Sequence, residues 1–356
     1  MRYIFTKEGK IMTLMEQEIL EQSVVLKSCF EYNKETFEKI ADAVRQKKIT
    51  NAVIAARGSS DNASTFFKYC FESLAGIPVS LAAPGINTIY NCQLDLSNSL
   101  VIGVSQSGAA ADVMAVLENA KACGAVTVSV TNNLDSKMAK MVDFHLYCNA
   151  GKELSVAATK TFTSQMFLLG YFAAYYSQNA QVCAELIQVP DNLEKIFALK
   201  PRVFEFAQKY KDLDSLIILA RGINYPIALE TALKIQETSY INARAYAASD
   251  FHHGPFAIVD ENSTALLIAP AGNSEKDMAE LKQKLLNAGA KVLVITNKQE
   301  LAEGAADSVI YDLNGSDYAT PFYNVAIAQM LACCISLSRG LNPDSPRGLK
   351  KVTITK

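Results

Sequence analysis

The strongest constraint on this chain is that it repeats itself. "AVIAARG" at 52–58 matches "LIILARG" at 216–222, and "KACGAVTVSVTNN" at 121–133 matches "LNAGAKVLVITNK" at 286–298. Between these matches "LVIGVSQSG" pairs with "LLIAPAGN", and glycines stand at 124 and 289, about 165 positions apart. A period that long is a whole domain and not a solenoid unit, so the chain folds twice on one plan. Its 356 residues suffice for two domains of ordinary size.

Each half alternates short β-branched runs with amphipathic helical stretches. In the first half strands are expected at 52–56, 78–82, 99–104 and 126–131, with helices at 60–75 and 109–123. Strands alternating with helices need crossovers, and right-handed crossovers give a mainly parallel sheet with helices on both faces, an α/β three-layer sandwich. Nearly unbroken apolar strands such as Leu100–Val104 fit burial on both sides. The expected organisation is a helical arm over 1–48, one α/β domain over 49–190, a second over 191–339 and an irregular tail over 340–356. Residues 321–339 read as a helix. The first eleven residues read as an upstream extension, with Met12 the natural beginning.

Half of the residues are apolar, a fifth are charged and the formal net charge is −2. With no cluster of basic residues, a nucleic-acid footprint or a polybasic membrane patch is not expected. The apolar run Met166–Tyr176 is shorter than the roughly 20 residues a bilayer requires, and the N-terminus lacks the apolar core of a signal peptide. A cytoplasmic protein is expected. Eight cysteines without a Cys-x-x-Cys pair read as reduced core thiols, and three histidines offer little material for a metal centre, so no metal or organic cofactor is expected.

Ser105-Gln106-Ser107-Gly108 ends a buried strand just before a helix. In open α/β sheets ligands bind at such carboxyl ends. The hydroxyls, the amide and the first N–H groups of the helix could converge there on an anion. "ARGSSDNAS" at 56–64 repeats the arrangement with Ser59 and Ser60. Either turn alone could be a helix cap; two in one half favour a bound anion.

The second half carries ionisable groups instead. Pro226 opens a helix on which Glu230, Lys234 and Glu237 fall on one stripe. Spacing alone favours a solvated Glu–Lys ladder over an active site. His252-His253-Gly254-Pro255 lies in a loop before a strand, which suits either an exposed pair or an acid–base group. His145, in an apolar strand-like run, reads as structural. The tail "SPRGLKKVTITK" is either a disordered basic end or, through alternating Leu349, Val352 and Ile354, a docked segment that carries Lys351 to a cleft.

Taken together, the repeat, "SQSG", "SVAATKTFTSQ" (155–165), "ALETALKIQETSYINARAYAASDFHHGP" and "PRGLKKVT" resemble the tandem sugar-isomerase (SIS) domain proteins, from about residue 17 to the end. The likeness is greatest to the isomerase half of glucosamine-6-phosphate synthase and to stand-alone glucosamine-6-phosphate deaminases. It implies two flavodoxin-like SIS domains and at least a dimer. By position, it makes Ser59, Ser60, Ser105, Gln106 and Ser107 the sugar-phosphate pocket, and the backbone at Val156 its rim. It makes Glu237 the base that moves a proton between C1 and C2, with Glu230 and Lys234 as active-site neighbours. His253 corresponds to a ring-opening histidine contributed by the partner subunit, and Lys351 to a tail lysine that engages the open-chain carbonyl.

The departures bear on the reaction. The synthase draws ammonia from glutamine through an N-terminal domain with a terminal cysteine. Here the first cysteine is Cys29, within a helical pattern, so that route is not expected. Ala110 and Ala158 stand where the synthase usually carries hydroxyls, which implies a reshaped phosphate pocket. The expected reaction is conversion of glucosamine 6-phosphate to fructose 6-phosphate and ammonia. The alternatives are a deglycase of a phosphorylated Amadori adduct and, from another class, a non-catalytic phosphosugar sensor.

Overall fold

The computed structural model describes residues 4–5 and 11–351. Val352 and Ile354, invoked for tail docking, lie outside the described residues, as does most of the N-terminal extension. Ile4–Phe5 pairs antiparallel with Ile11–Met12. The chain divides into two compact units, and that pair belongs to one of them.

One unit comprises Gln22–Glu153 and Lys160–Pro190. Its strands are β1 (Asn51–Ala55), β2 (Val79–Leu81), β3 (Ser99–Val104), β4 (Val126–Thr131) and β5 (Phe144–Tyr147), all parallel in the order β2-β1-β3-β4-β5. The strand order reverses between β1 and β3, so the turns leaving those two strands flank the switch point where such sheets take ligands. Every residue of β3 and β4 is buried, as unbroken apolar runs in a parallel sheet require.

Two helices fix the position of the first of those turns. Helix α2 is Gln22–Gln46, after a seven-residue α1 (Leu14–Leu20), so the expected N-terminal arm is two helices that group with different units. Helix α3 (Ser59–Ala75) begins directly after β1. It packs on helix α5 (Lys160–Tyr176) through stacked rings of Phe67, Phe71 and Phe172, with centroids 4.9 and 5.8 Å apart. Burying such rings is worth roughly 1.5–3 kcal/mol each. Helix α4 (Ala111–Ala122) follows β3. Those starts and ends lie within two residues of the sequence expectation.

The other unit comprises the described residues through Glu21, Leu154–Thr159 and Asp191–Lys351. Strands β6 (Ser215–Ala220), β7 (Asn242–Ala247), β8 (Thr264–Ile268), β9 (Lys291–Thr296) and β10 (Asp307–Ile310) are again all parallel, in the matching order β7-β6-β8-β9-β10. Its helices include α6 (Lys200–Tyr210), α7 (Tyr225–Ser239), α8 (Glu275–Asn287) and α9 (Thr320–Ser338). Helix α9 is long and apolar enough to cross a membrane, but 94% of its apolar window is buried within the protein. An evenly apolar helix of this kind serves as the centre of a unit. It packs against α7: Ser336 Oγ donates to the Thr238 carbonyl at 2.8 Å, and Thr238 Oγ1 donates to the Ala332 carbonyl at 3.3 Å.

Candidate active site

The turn after β3 is tight and braced. The Gly108 N–H donates to the Ser105 carbonyl at 3.2 Å, and the Asn132 N–H donates to the Gln106 carbonyl at 2.9 Å. Gly108 has φ +64°, and a Cβ there would lie 2.3 Å from Ser136 Oγ, so only glycine closes this turn. Ser107 Oγ accepts the Ala109 N–H at 3.3 Å. Ser60 and Ser105 are buried, while Ser59, Gln106 and Ser107 are partly exposed.

The capping alternative makes a specific demand on these turns: a serine should cap the following helix. Neither does. Helix α3 starts from Gly58 and α4 from Ala110, and neither N-cap residue makes a side-chain bond. Neither helix start is therefore capped by the residue before it, although the Val113 N–H of α4 is taken by the Asp112 carboxylate and the Asp61 N–H of α3 by the Gly58 carbonyl. Helix N-termini in general favour anions.

In the charged unit, Glu230, Lys234 and Glu237 lie along α7. The Lys234 ammonium is 3.5 Å from Glu230 and 2.5 Å from Glu237. Spacing alone favoured a solvated ladder, and the structure overturns that. Glu230 is fully buried and the Lys234 side chain is 1% exposed, whereas the Glu237 side chain is 21% exposed. Helix α9 packs along α7 beside this stripe, through Thr238, the residue after Glu237. A buried ammonium between two carboxylates is costly unless it is held in good geometry, so such a triad is retained for a reason other than stability alone. Glu237 is the one member that solvent reaches.

His253 is exposed, and its N–H donates to the Asp250 carbonyl at 3.0 Å. With Arg221, Ser249, His252, Asp277 and Glu280 it lines a surface cavity of about 260 Å³. Burial and the Lys284 ammonium, 3.3 Å from its ring nitrogen, lower the pKa of His252. Among the described residues no group of three or more His, Cys, Asp or Glu side chains could hold a metal ion.

The tail is anchored by residues that the sequence reading passed over. Asp344 accepts the N–H groups of Leu14 and Met15 at 3.0 and 2.8 Å through its carboxylate, and the Val156 N–H at 3.1 Å through its carbonyl. On the same α1, the buried carboxylate of Glu18 takes the N–H groups of Leu154 and Ser155 and the Ser155 hydroxyl. The segment around Val156 therefore belongs to the charged unit, although by sequence position it falls in the serine half. Further along, the Arg347 N–H donates to Tyr240 Oη at 2.9 Å, and its guanidinium lies over that ring. Tyr240 closes α7 with φ +60°, three residues beyond Glu237. Lys351 is half-buried at the end of the described chain. Contacts across more than 300 positions carry no local pattern, so only the acidic residue before "SPRG" hinted at this anchor.

The SIS domain matches residues 44–175 and again 209–338. The chain belongs to the SIS domain family. Its two SIS domains coincide with the two sheets, and the offset between the matches equals the spacing of Gly124 and Gly289.

Two curated relatives are named glutamine–fructose-6-phosphate aminotransferase. The one from Aquifex aeolicus is 33% identical over 99% of this chain and 59% of its own length. The one from Clostridium acetobutylicum is 33% identical over 86% of this chain and 52% of its own length. The chain thus spans between half and three-fifths of these relatives. Among solved structures, the C-terminal domain of the Francisella tularensis glucosamine-fructose-6-phosphate aminotransferase superposes with TM-score 0.82 at 27% identity, over 96% of this chain and all of that one. A glucosamine-6-phosphate deaminase from Thermotoga maritima, at 22% identity and TM-score 0.74, shares the fold.

Proposed function

We propose that the protein converts glucosamine 6-phosphate and water to fructose 6-phosphate and ammonia. The observation that carries this reading is the Glu230–Lys234–Glu237 triad, buried except for one carboxylate. An aldose–ketose shift needs a base that takes a proton from C2 and returns it to C1 on one face of an enolamine. Glu237 suits that role because Lys234 orients it while solvent still reaches it. Proton return leaves a C2 ketimine, and water hydrolyses it: the C–N bond breaks, ammonia leaves and the ketone remains.

The serine turns hold the phosphate in this reading. His253, exposed and in a cavity, serves ring opening for a substrate held by a second copy of the chain. Lys351 approaches the open-chain carbonyl, where a cation stabilises developing negative charge.

Ammonia release from glucosamine 6-phosphate by purified protein tests the proposal. Glu237→Gln is expected to cut the rate by roughly 10²–10⁴, the usual contribution of a general base. Absence of ammonia at millimolar substrate, or an undiminished rate in Glu237→Gln, would overturn it. Release of a free amino acid from a phosphorylated Amadori adduct, without ammonia from glucosamine 6-phosphate, would change the substrate and keep the base.

A further inference from the structure

The anion pocket described so far contains hydroxyls, an amide and backbone N–H groups but no cation. Loss of a hydroxyl at Ala110 leaves it weaker still, because Ala110 is the N-cap of α4 and offers no side-chain partner. One residue in the same turns stands unused by the proposed function. Arg57 precedes Gly58 and Ser59, and its side chain is 53% exposed.

Its Nε donates to Asp112 Oδ2 at 2.6 Å, and Asp112, in the first turn of α4 two residues beyond Ala110, is only 3% exposed. The other Asp112 oxygen accepts the Val113 N–H at 2.9 Å. The buried carboxylate therefore grips the guanidinium by its base. Among the described residues the two terminal nitrogens of Arg57 donate to no protein atom. A guanidinium carries five N–H donors in a rigid plane, and its outer fork matches a phosphate edge. Anchoring at Nε sets the direction of that fork beforehand, which lowers the cost of ordering it on binding. Asp61, in the first turn of α3, is the other carboxylate that feels Arg57, and burial raises its pKa, which weakens its claim on the cation.

The repeat supplies an internal control. Arg221 and Asp277 occupy the matching places in the other half and pair at 3.0 Å. There the aspartate is 52% exposed; the first turn reads Gly222-Ile223-Asn224 without a serine, and the second carries a single one, Ser274, at the N-cap of α8. The Arg–Asp bridge thus belongs to the common plan, and the first copy stands among four serines, Ser59, Ser60, Ser105 and Ser107, where the second has one.

We propose that Arg57, positioned by Asp112, is a ligand of the substrate's phosphoryl group and takes the place of the hydroxyl lost at Ala110. The pocket then selects dianionic phosphate monoesters over neutral sugars. This inference rests on reading the serine turns as the phosphate pocket.

Calorimetric titration with fructose 6-phosphate, fructose and inorganic phosphate tests it. The main variant is the double change Arg57→Gln with Asp112→Asn, which leaves no buried carboxylate uncompensated. It is expected to bind fructose 6-phosphate at least tenfold more weakly than wild type while keeping its melting temperature within a few degrees. Adding Ala110→Thr to that variant is expected to recover threefold or more. Arg221→Gln with Asp277→Asn, in the cavity that also holds His253, is expected to change the affinity for inorganic phosphate less than twofold. Affinity within twofold of wild type in the Arg57 variant overturns the inference, as does no recovery on adding Ala110→Thr, or an equal loss in the Arg221 variant. A wild-type protein that binds no phosphate ester overturns the pocket reading itself.

Discussion

In the serine unit the turn after β3 reads Ser105-Gln106-Ser107-Gly108, whereas the matching turn of the charged unit, after β8, reads Ala269-Pro270-Ala271-Gly272. Both close on a glycine of positive φ, and both sheets keep one strand order. After the first strand of each sheet, Arg57-Gly58 and Arg221-Gly222 agree as well, with φ near +58° at both glycines (+57° and +59°). What the halves share is the backbone plan and what differs is the side chains placed on it. The first helix after a switch-point strand carries hydroxyls in one half. In the other, α7 carries a buried ammonium between two carboxylates. Duplication of a fold therefore supplied two equivalent positions, and in the proposed function one binds the anion while the other transfers the proton.

Removing the ammonium breaks that comparison most severely. Lys234→Met leaves Glu230 buried without its cation, and breaking a buried pair in this way costs about 3–5 kcal/mol. Chemical denaturation should show that loss, with activity of the remaining folded protein falling because Glu237 loses its orienting partner. A stability within 1 kcal/mol of wild type would mean that the triad is not held as described.

A smaller effect sharpens the other side. Ser107→Ala removes a hydroxyl from the turn proposed to hold the phosphate, and a hydrogen bond to a charged group is worth about 1.5–3 kcal/mol. The KM for a sugar phosphate should rise roughly tenfold or more while kcat at saturation stays near wild type. A kcat loss at unchanged KM would place proton transfer in the serine unit and erase the division.

The smallest effect concerns a group that neither half uses for chemistry. His145 Nδ1 is 2.9 Å from Ser129 Oγ, its Nε2 is buried without a partner among the described residues, and burial lowers its pKa below the ordinary 6.5. The folded state therefore binds its proton less readily than the unfolded chain. Its contribution to stability is unchanged above about pH 6.5 and is lost as pH falls from there through the lower folded value. Denaturation midpoints between pH 7 and pH 5 should drop less in His145→Gln than in wild type; an identical drop would remove His145 from the acid response.

Much of this was legible in the sequence because it is local or periodic. The repeat fixed the number of sheets, apolar runs marked β3 and β4, and Pro226 marked the start of α7. Burial of the Glu–Lys stripe was not legible, because an exposed ladder and a buried triad have the same spacing. The difference lies in tertiary packing: α9, roughly a hundred residues later, lies along α7, and its even apolarity reveals a central helix but not which neighbour it packs on. The tail anchor through Asp344 escaped for the same reason. The break between α1 and α2 escaped because Glu21 and Gln22 are ordinary helix formers, and the packing of each helix decides it.

Proton exchange in deuterium oxide addresses the central division of labour directly. With fructose 6-phosphate and ammonium present, wild-type protein should wash solvent deuterium into C1, visible by proton NMR. Glu237→Gln should abolish that exchange while still binding the sugar phosphate, and Ser107→Ala should retain it at saturating substrate. Undiminished exchange in Glu237→Gln, or its loss in saturated Ser107→Ala, would contradict the account.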